Sequence, residues 1–288
     1  MSLKSISHHI SAPRVNMGGH MLEQPLPYND LDQLNPFLLI HHWKETMPGG
    51  QRPQDVGVGI HPHRGFSPVT FIFKGDVHHR DSLGNSAVVG EGGTQWMFAG
   101  RGITHSERPS KAMAEKGGEQ EFIQFWVNAP AANKMQPAYY KPITKEATPV
   151  YKQDGLELQV VCGTHEGIAG NIEYYSPLTL LRGTITSGAQ YKFTLPQSHN
   201  SLIYLLDGAM EINGVKAVGK DMICFAQDAE GIDIIASETT RFIVLSGEPI
   251  NEPVVSYGPF VMNSETEIMQ TLRDAQMGKL GVLIEDFS

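Results

Sequence analysis

The chain has 288 residues, a formal net charge of −9 and a pI near 5.7. That length fits one large domain or two of about 100–150 residues, enough to bury a core without disulfide or metal staples. The acidic balance excludes nucleic acid and anionic membranes as default partners.

Glycine (30 residues) and proline (18) are plentiful while only 18% of residues are charged, which suits short strands joined by tight turns. No apolar run reaches the roughly 18 residues of a membrane-spanning helix. The first eight residues, Met1 to His8, lack the apolar centre of a signal peptide. Cys162 and Cys224 are too few for a disulfide scaffold and too far apart for a zinc knuckle. They read as small buried hydrophobes in a protein of the reducing cytoplasm.

In chain order, Asn35 to Trp43 forms an apolar strand bounded by Pro36 and by Pro48-Gly49-Gly50. Val69 to Phe73 is rich in aromatic and β-branched residues and stops at Gly75. The polar turn Asp81 to Ser86 reverses the chain into Ala87-Val88-Val89, and the chain resumes at Gln95 to Ala99. Phe122 to Val127 is a further strand, stopped by Asn128 and Pro130. Pro130, Pro137, Pro142 and Pro149 mark a connection between domains. The predicted division is a first domain over 1–132, a linker over 133–149 and a second domain over 150–288.

The second half is strand-rich too. Leu202 to Leu206, then Gly208, leads to the hairpin Met210-Glu211-Ile212, Asn213-Gly214, Val215-Lys216-Ala217, whose turn needs positive φ at both central residues. It repeats the first half: Phe73-Lys74-Gly75 matches Leu206-Asp207-Gly208, and Val89-Gly90 matches Val218-Gly219. One strong helix is expected, from Glu265 to about Met277. Ser264 and Glu267 form its capping box, Ile268, Leu272 and Ala275 its buried stripe, and Gly278 its stop.

The chemistry concentrates between His61 and Glu107. His61-Pro62-His63 and His105-Ser106-Glu107 each carry two metal-ligating side chains separated by one residue. In extended chain the period of two sends both members of each pair to one face. Two such strands side by side in a barrel aim three imidazoles and one carboxylate at a common point. That set suits one borderline divalent ion: Fe(II) first, with Cu, Ni, Co, Mn or Zn as alternatives. Projected through the repeat, His61 and His63 fall near Thr194 and Pro196, and His105 and Glu107 near Ile232 and Ile234. The second half is therefore expected to bind no metal. The adjacent pairs His8-His9, His41-His42 and His78-His79 face opposite ways on strands and are not expected as ligands, with His42 or His79 the candidates to stand behind them. Gly100-Arg101-Gly102 reads as a tight turn, since no helix follows it to bind a phosphate. Arg64 and Trp96 are candidates for the cavity or its rim.

The motifs His61-Pro62-His63-Arg64-Gly65-Phe66, Arg80-Asp81-Ser82-Leu83-Gly84-Asn85, Gln95-Trp96-Met97 and Ala99 to Glu107 together resemble the pirin family of the cupin superfamily. Gly258 to Asn263, followed by a helix, is also similar to pirins. The resemblance implies an all-β fold of two tandem jelly-roll cupin β-barrels with a C-terminal helix and one metal in the N-terminal barrel; the chain is expected to be a monomer. It implies His61, His63, His105 and Glu107 as ligands. Two departures stand out: Ser67-Pro68 replaces the usual Glu-Thr, and Ile40-His41-His42-Trp43 lacks the acidic residue that many pirins carry after their apolar triplet. The resemblance leaves two functions open. One is a quercetin 2,3-dioxygenase that opens a flavonol with dioxygen, Glu107 taking the proton of its 3-hydroxyl. The other is a metal or redox sensor that acts through a regulatory protein partner without turnover.

Overall fold

The computed structural model describes residues 2–287. They form two compact units, each discontinuous in sequence. One comprises His42–Lys145 with residues 250–287, the other residues 2–41 with Glu146–Pro249. Both are built from strands. The longest helix is Glu265–Gln276, and Lys111–Lys116 and Ala131–Lys134 are short.

In the first unit, Tyr139–Ile143, Thr94–Phe98, Phe66–Lys74 and Gly118–Asn128 are successive neighbours in one sheet, continued by the later residues of Phe37–Met47. A second sheet runs in the order Val58–His63, Ile103–Arg108, Asp76–Asp81, Ser86–Gly90. Thr70 and Gln124 of the first sheet donate to Glu107 of the second, so the two sheets face each other across an interior. In Gly118–Asn128, Phe122, Gln124 and Trp126 alternate with the buried Ile123, Phe125 and Val127. That period of two separates the cavity face from a packed face.

The other unit repeats this order. Gln190–Thr194, Gly231–Ala236, Ala209–Ile212 and Val215–Val218 form its four-stranded sheet. Asp221–Phe225, Asn200–Asp207 and Thr240–Gly247 are adjacent in its larger one. Here the interior is filled by Phe193, Leu205, Ile232, Ile234, Phe242 and their neighbours.

The repeat is real in topology, but its register at the ligand positions differs from the sequence projection. Two residues, 64 and 65, connect Val58–His63 to Phe66–Lys74, whereas five, 195–199, connect Gln190–Thr194 to Asn200–Asp207. The longer loop moves the equivalents of His61 and His63 to Tyr191 and Phe193, both buried, while Thr194 is exposed and Pro196 lies beyond the strand. Cross-strand pairing completes the correction. His61 pairs with His105 and Tyr191 with Ile234, which puts Ile234 and Ala236 where the first unit has His105 and Glu107.

The predicted linear division also differs from the structure. Ile6–Ser11 pairs antiparallel with Asp221–Phe225, covering a strand edge that would otherwise be open, so the first residues belong with the second half. Residues 250–287 belong with the first half. Within the expected linker, Tyr139–Ile143 is a strand paired with Thr94–Phe98. It is the edge of its sheet, where Pro142 is tolerated because no neighbour needs its missing N–H.

The terminal helix forms as expected. The Ser264 hydroxyl accepts from the Glu267 backbone N–H, and the Glu267 carboxylate accepts from the Asn263 N–H at 2.9 Å. Ile268, Leu272 and Ala275 join Phe260, Met262 and Leu280 in one apolar cluster. Arg64 anchors this helix instead of lining the cavity. Buried, it donates to Asp274 (3.0 Å), Thr271 (3.2 Å) and the Arg101 carbonyl (2.7 Å). Gly65 beside it has φ +91°, and a Cβ there would run into the Val261 carbonyl oxygen. Trp96 pairs with Val69, on the face opposite Thr70, and so also turns away from the cavity.

Candidate metal centre

His61 and His105 sit directly opposite each other on paired antiparallel strands, with His63 two residues along. A β-bulge between His105 and Glu107 re-aims the end of the strand beside the site. Ring centroids lie 4.3 Å apart for His61–His105, 4.8 Å for His61–His63 and 5.0 Å for His63–His105. One ligand atom from each of the three falls within 4.8 Å of the others.

The hydrogen bonds decide which nitrogen each ring presents. Carbonyl oxygens only accept, so Nδ1 of His61 donates to the Gly59 oxygen (2.8 Å) and Nδ1 of His63 to the Pro259 oxygen (3.2 Å). In neutral rings this leaves each Nε2 with a free lone pair. Burial, and secondarily the neighbouring His61, depress the pKa of His63 well below the ordinary histidine value. Burial does the same to His105, reinforced by His61, His63 and His79. Both rings are therefore neutral at physiological pH. Nε2 of His63 and Nε2 of His105 are buried without a hydrogen-bond partner. Two buried ring nitrogens left without partners are costly in a folded protein, and a divalent cation between them satisfies both. The donor set fits a metal.

Glu107 stands outside the group of three. Its carboxylate accepts from Gln124 Nε2 at 2.9 Å on each oxygen, and from Thr70 Oγ1 at 3.4 Å. The Gln124 amide oxygen in turn accepts from the Trp126 indole N–H at 3.4 Å. Trp126 packs on Phe66 at 4.3 Å, and both rings meet His63 edge-on. His63 thus lies against an aromatic wall.

Ser67, where the resemblance expects an acid, alternates with Phe66 and Pro68 and so faces away from the site. His42 also stands apart, 3.3 Å from Glu121, whereas His79 reaches His105. The turn Gly100-Arg101-Gly102 is tight, with a Cβ at Gly102 meeting Leu280 Cγ at 2.7 Å.

Sequence reading missed Gln124 and the tail beyond the helix. A lone amide on the cavity face of the otherwise apolar Phe122 to Val127 is the signal that marks Gln124. The tail gives no such sign. Thr104 donates to the Leu280 and Gly281 carbonyls, while Ser106 and Arg108 bind Glu285. The outward side chains of the strand that carries His105 are thus held by residues 280–285. Among the described residues no helix is long and apolar enough to cross a membrane.

Comparison with known proteins agrees with this architecture. The pirin family model matches residues 19–127, and that of the pirin C-terminal cupin domain matches 180–281. A Pseudomonas aeruginosa relative, provisionally named a quercetin 2,3-dioxygenase, is 36% identical over 88% of this chain and 89% of its own. The solved structure of quercetin 2,3-dioxygenase from Acinetobacter baumannii is 34% identical, covers 98% of this chain and all of that one, and superposes with a TM-score of 0.93. The Escherichia coli pirin YhhW, solved with nickel(II), shares the fold at 20% identity and a TM-score of 0.67, covering 84% of this chain and 99% of its own. With both halves of the chain matched in order, this protein belongs to the pirin family and is a bicupin.

Proposed function

We propose that the chain is a metal-dependent dioxygenase of the quercetin 2,3-dioxygenase type, with one divalent ion held by His61, His63, His105 and Glu107. The observation that carries this reading is the pair of buried, unpartnered Nε2 atoms of His63 and His105 beside His61. A borderline ion such as Fe(II) or Ni(II) would supply Lewis acidity towards a flavonol oxygen and electronic access to dioxygen.

The chain's own residues do the rest. Trp126, half-buried and backed by the buried Phe66, offers an apolar face to a flat polyphenol. The Gln124 amide holds both Glu107 oxygens on its donor side, which orients the remaining lone pairs of the carboxylate. Glu107 then accepts the proton of the 3-hydroxyl, which raises the electron density of the ring that dioxygen attacks. Both oxygen atoms enter the ring-opened ester, and the carbon between them leaves as carbon monoxide.

The test is aerobic incubation of metal-loaded protein with quercetin, following loss of the flavonol absorbance. Glu107→Gln is compared at equal metal loading and is expected to slow turnover by about 10²–10⁴-fold, the range of a lost general base. Wild-type activity no greater than that of the free metal would instead favour the sensor that works through a protein partner.

A further inference from the structure

Behind His105 lies a second buried histidine that the proposed reaction does not use. His79 and Asp81 share the inward face of Asp76–Asp81, the strand paired with the one that bears His105 and Glu107. Both are almost wholly buried. Nε2 of His79 lies 2.9 Å from Asp81 Oδ2, and Nδ1 of His79 lies 3.4 Å from Nδ1 of His105. The ring of His79 is fixed in plane by Tyr140, stacked at 3.7 Å with 4° between the planes. Asp81 is itself fixed, accepting from the backbone N–H of Leu83 (2.9 Å) and of Asn85 (3.0 Å) and from the Asn85 amide (2.8 Å).

We propose that Asp81 and His79 form a relay that sets the tautomer of His105, and so decides whether its Nε2 is available to a metal. The inference rests on the metal-centre reading above and deepens it. A carboxylate only accepts, so in the neutral ring the hydrogen on His79 is held at Nε2 and its Nδ1 is an acceptor. Two acceptors cannot bond each other, so the hydrogen of His105 stays on Nδ1 and its Nε2 lone pair faces the site. The direction of every bond in the chain is thus dictated by one carboxylate three groups away from the metal. For His61 and His63 a backbone carbonyl does the same work. His105 alone depends on side chains. Partners of this kind typically change metal affinity by about 10–100-fold when removed. His79 and Asp81 are positioning residues on this account, since neither touches substrate or ion.

The inverse case gives the test. In Asp81→Asn the amide oxygen can still accept from the Leu83 and Asn85 backbone. The new NH₂ stands where Oδ2 was, so the Asn85 amide turns its oxygen to accept from it; its other hydrogen goes to His79 Nε2, which moves the hydrogen of His79 to Nδ1 and that of His105 to Nε2, blocking the ligand. His79→Phe keeps the stack on Tyr140 but cuts the relay. Zn(II) affinity of the full chain is measured by competition with a chromophoric chelator, for the wild type, each single variant and the double variant. The His105 tautomer is read independently by ¹⁵N NMR of the metal-free protein. Each single variant is expected to lose about 10–100-fold in affinity. The double variant should be no weaker than His79→Phe alone, because an amide at 81 has nothing left to invert. The NMR spectrum should show Nδ1–H in the wild type and Nε2–H in Asp81→Asn. Losses that multiply in the double variant, or an unchanged tautomer in folded Asp81→Asn, overturn the relay. A wild type that binds no Zn(II) while showing the inverted tautomer in Asp81→Asn removes the metal centre and leaves the relay standing.

Discussion

Replacing Glu285 with alanine probes how the tail secures the strand that presents His105 and Glu107. The Glu285 carboxylate accepts from Ser106 Oγ (2.7 Å), Arg108 Nε (2.7 Å) and Arg108 Nη2 (2.9 Å). Hydrogen bonds to a charged group contribute about 1.5–3 kcal/mol each. Their sum overstates the loss, because Arg108 keeps the Gln54 and Val56 carbonyls at 2.9 Å and is not left stranded. The Phe287 ring, 4.8 Å from the Arg80 guanidinium and 5.5 Å from that of Arg108, is released with the tail. A net loss of about 2–3 kcal/mol follows.

Urea unfolding followed by tryptophan fluorescence measures this loss. Trp43, Trp96 and Trp126 all lie in the unit that holds the site, so the signal reports that unit. With a slope of about 2–3 kcal/mol per molar urea, the midpoint falls by about 1 M. The pH dependence has a definite sign. Burial alone would raise the Glu285 pKa, but hydrogen bonds from Arg108 and Ser106 outweigh it and hold the carboxyl below its ordinary value. A depressed folded-state pKa means stability that is complete above the unfolded-state pKa and lost as pH falls through the folded one. The gap between wild type and Glu285→Ala should be full at pH 7 and narrow in acid. Equal midpoints at pH 7, or a gap that widens in acid, would refute the reasoning.

Gln124→Leu, nearly isosteric, frees Glu107 from its donor; turnover of quercetin should fall by about 10²-fold while metal content is unchanged. Gly65→Ala should destabilise the same unit by at least about 3 kcal/mol in urea, since the added Cβ combines positive φ with the Val261 carbonyl. Leu205→Ala, in the filled interior of the other unit, should cost about 2–5 kcal/mol by circular dichroism and leave metal stoichiometry untouched.

What the sequence makes legible here is what depends on neighbours in the chain. His61-Pro62-His63 and His105-Ser106-Glu107 declare their shared faces through the period of two, and Ser264 with Glu267 declares a helix start. Features set by chain segments far apart are silent. The alternation that groups His63 with His61 says nothing of the Pro259 carbonyl that fixes its tautomer. Pro142 reads as a linker because its tolerance depends on lying at a sheet edge, which only topology reveals. The repeat is visible in Gly75 and Gly208, yet three extra loop residues before Asn200 shift the register, and an odd shift in a strand changes which side chains face inward. Glu107 is legible as a carboxylate on the face of His105, whereas its hold by Gln124 depends on two sheets meeting.

The central claim is a single ion-binding point formed by three imidazoles in one barrel. Its most direct test is the stoichiometry of divalent metal bound by the demetallated chain, measured by elemental analysis after reconstitution for wild type, His63→Ala and His105→Ala. One equivalent is expected in the wild type and well under one in either folded variant. A full equivalent retained by both variants would contradict it.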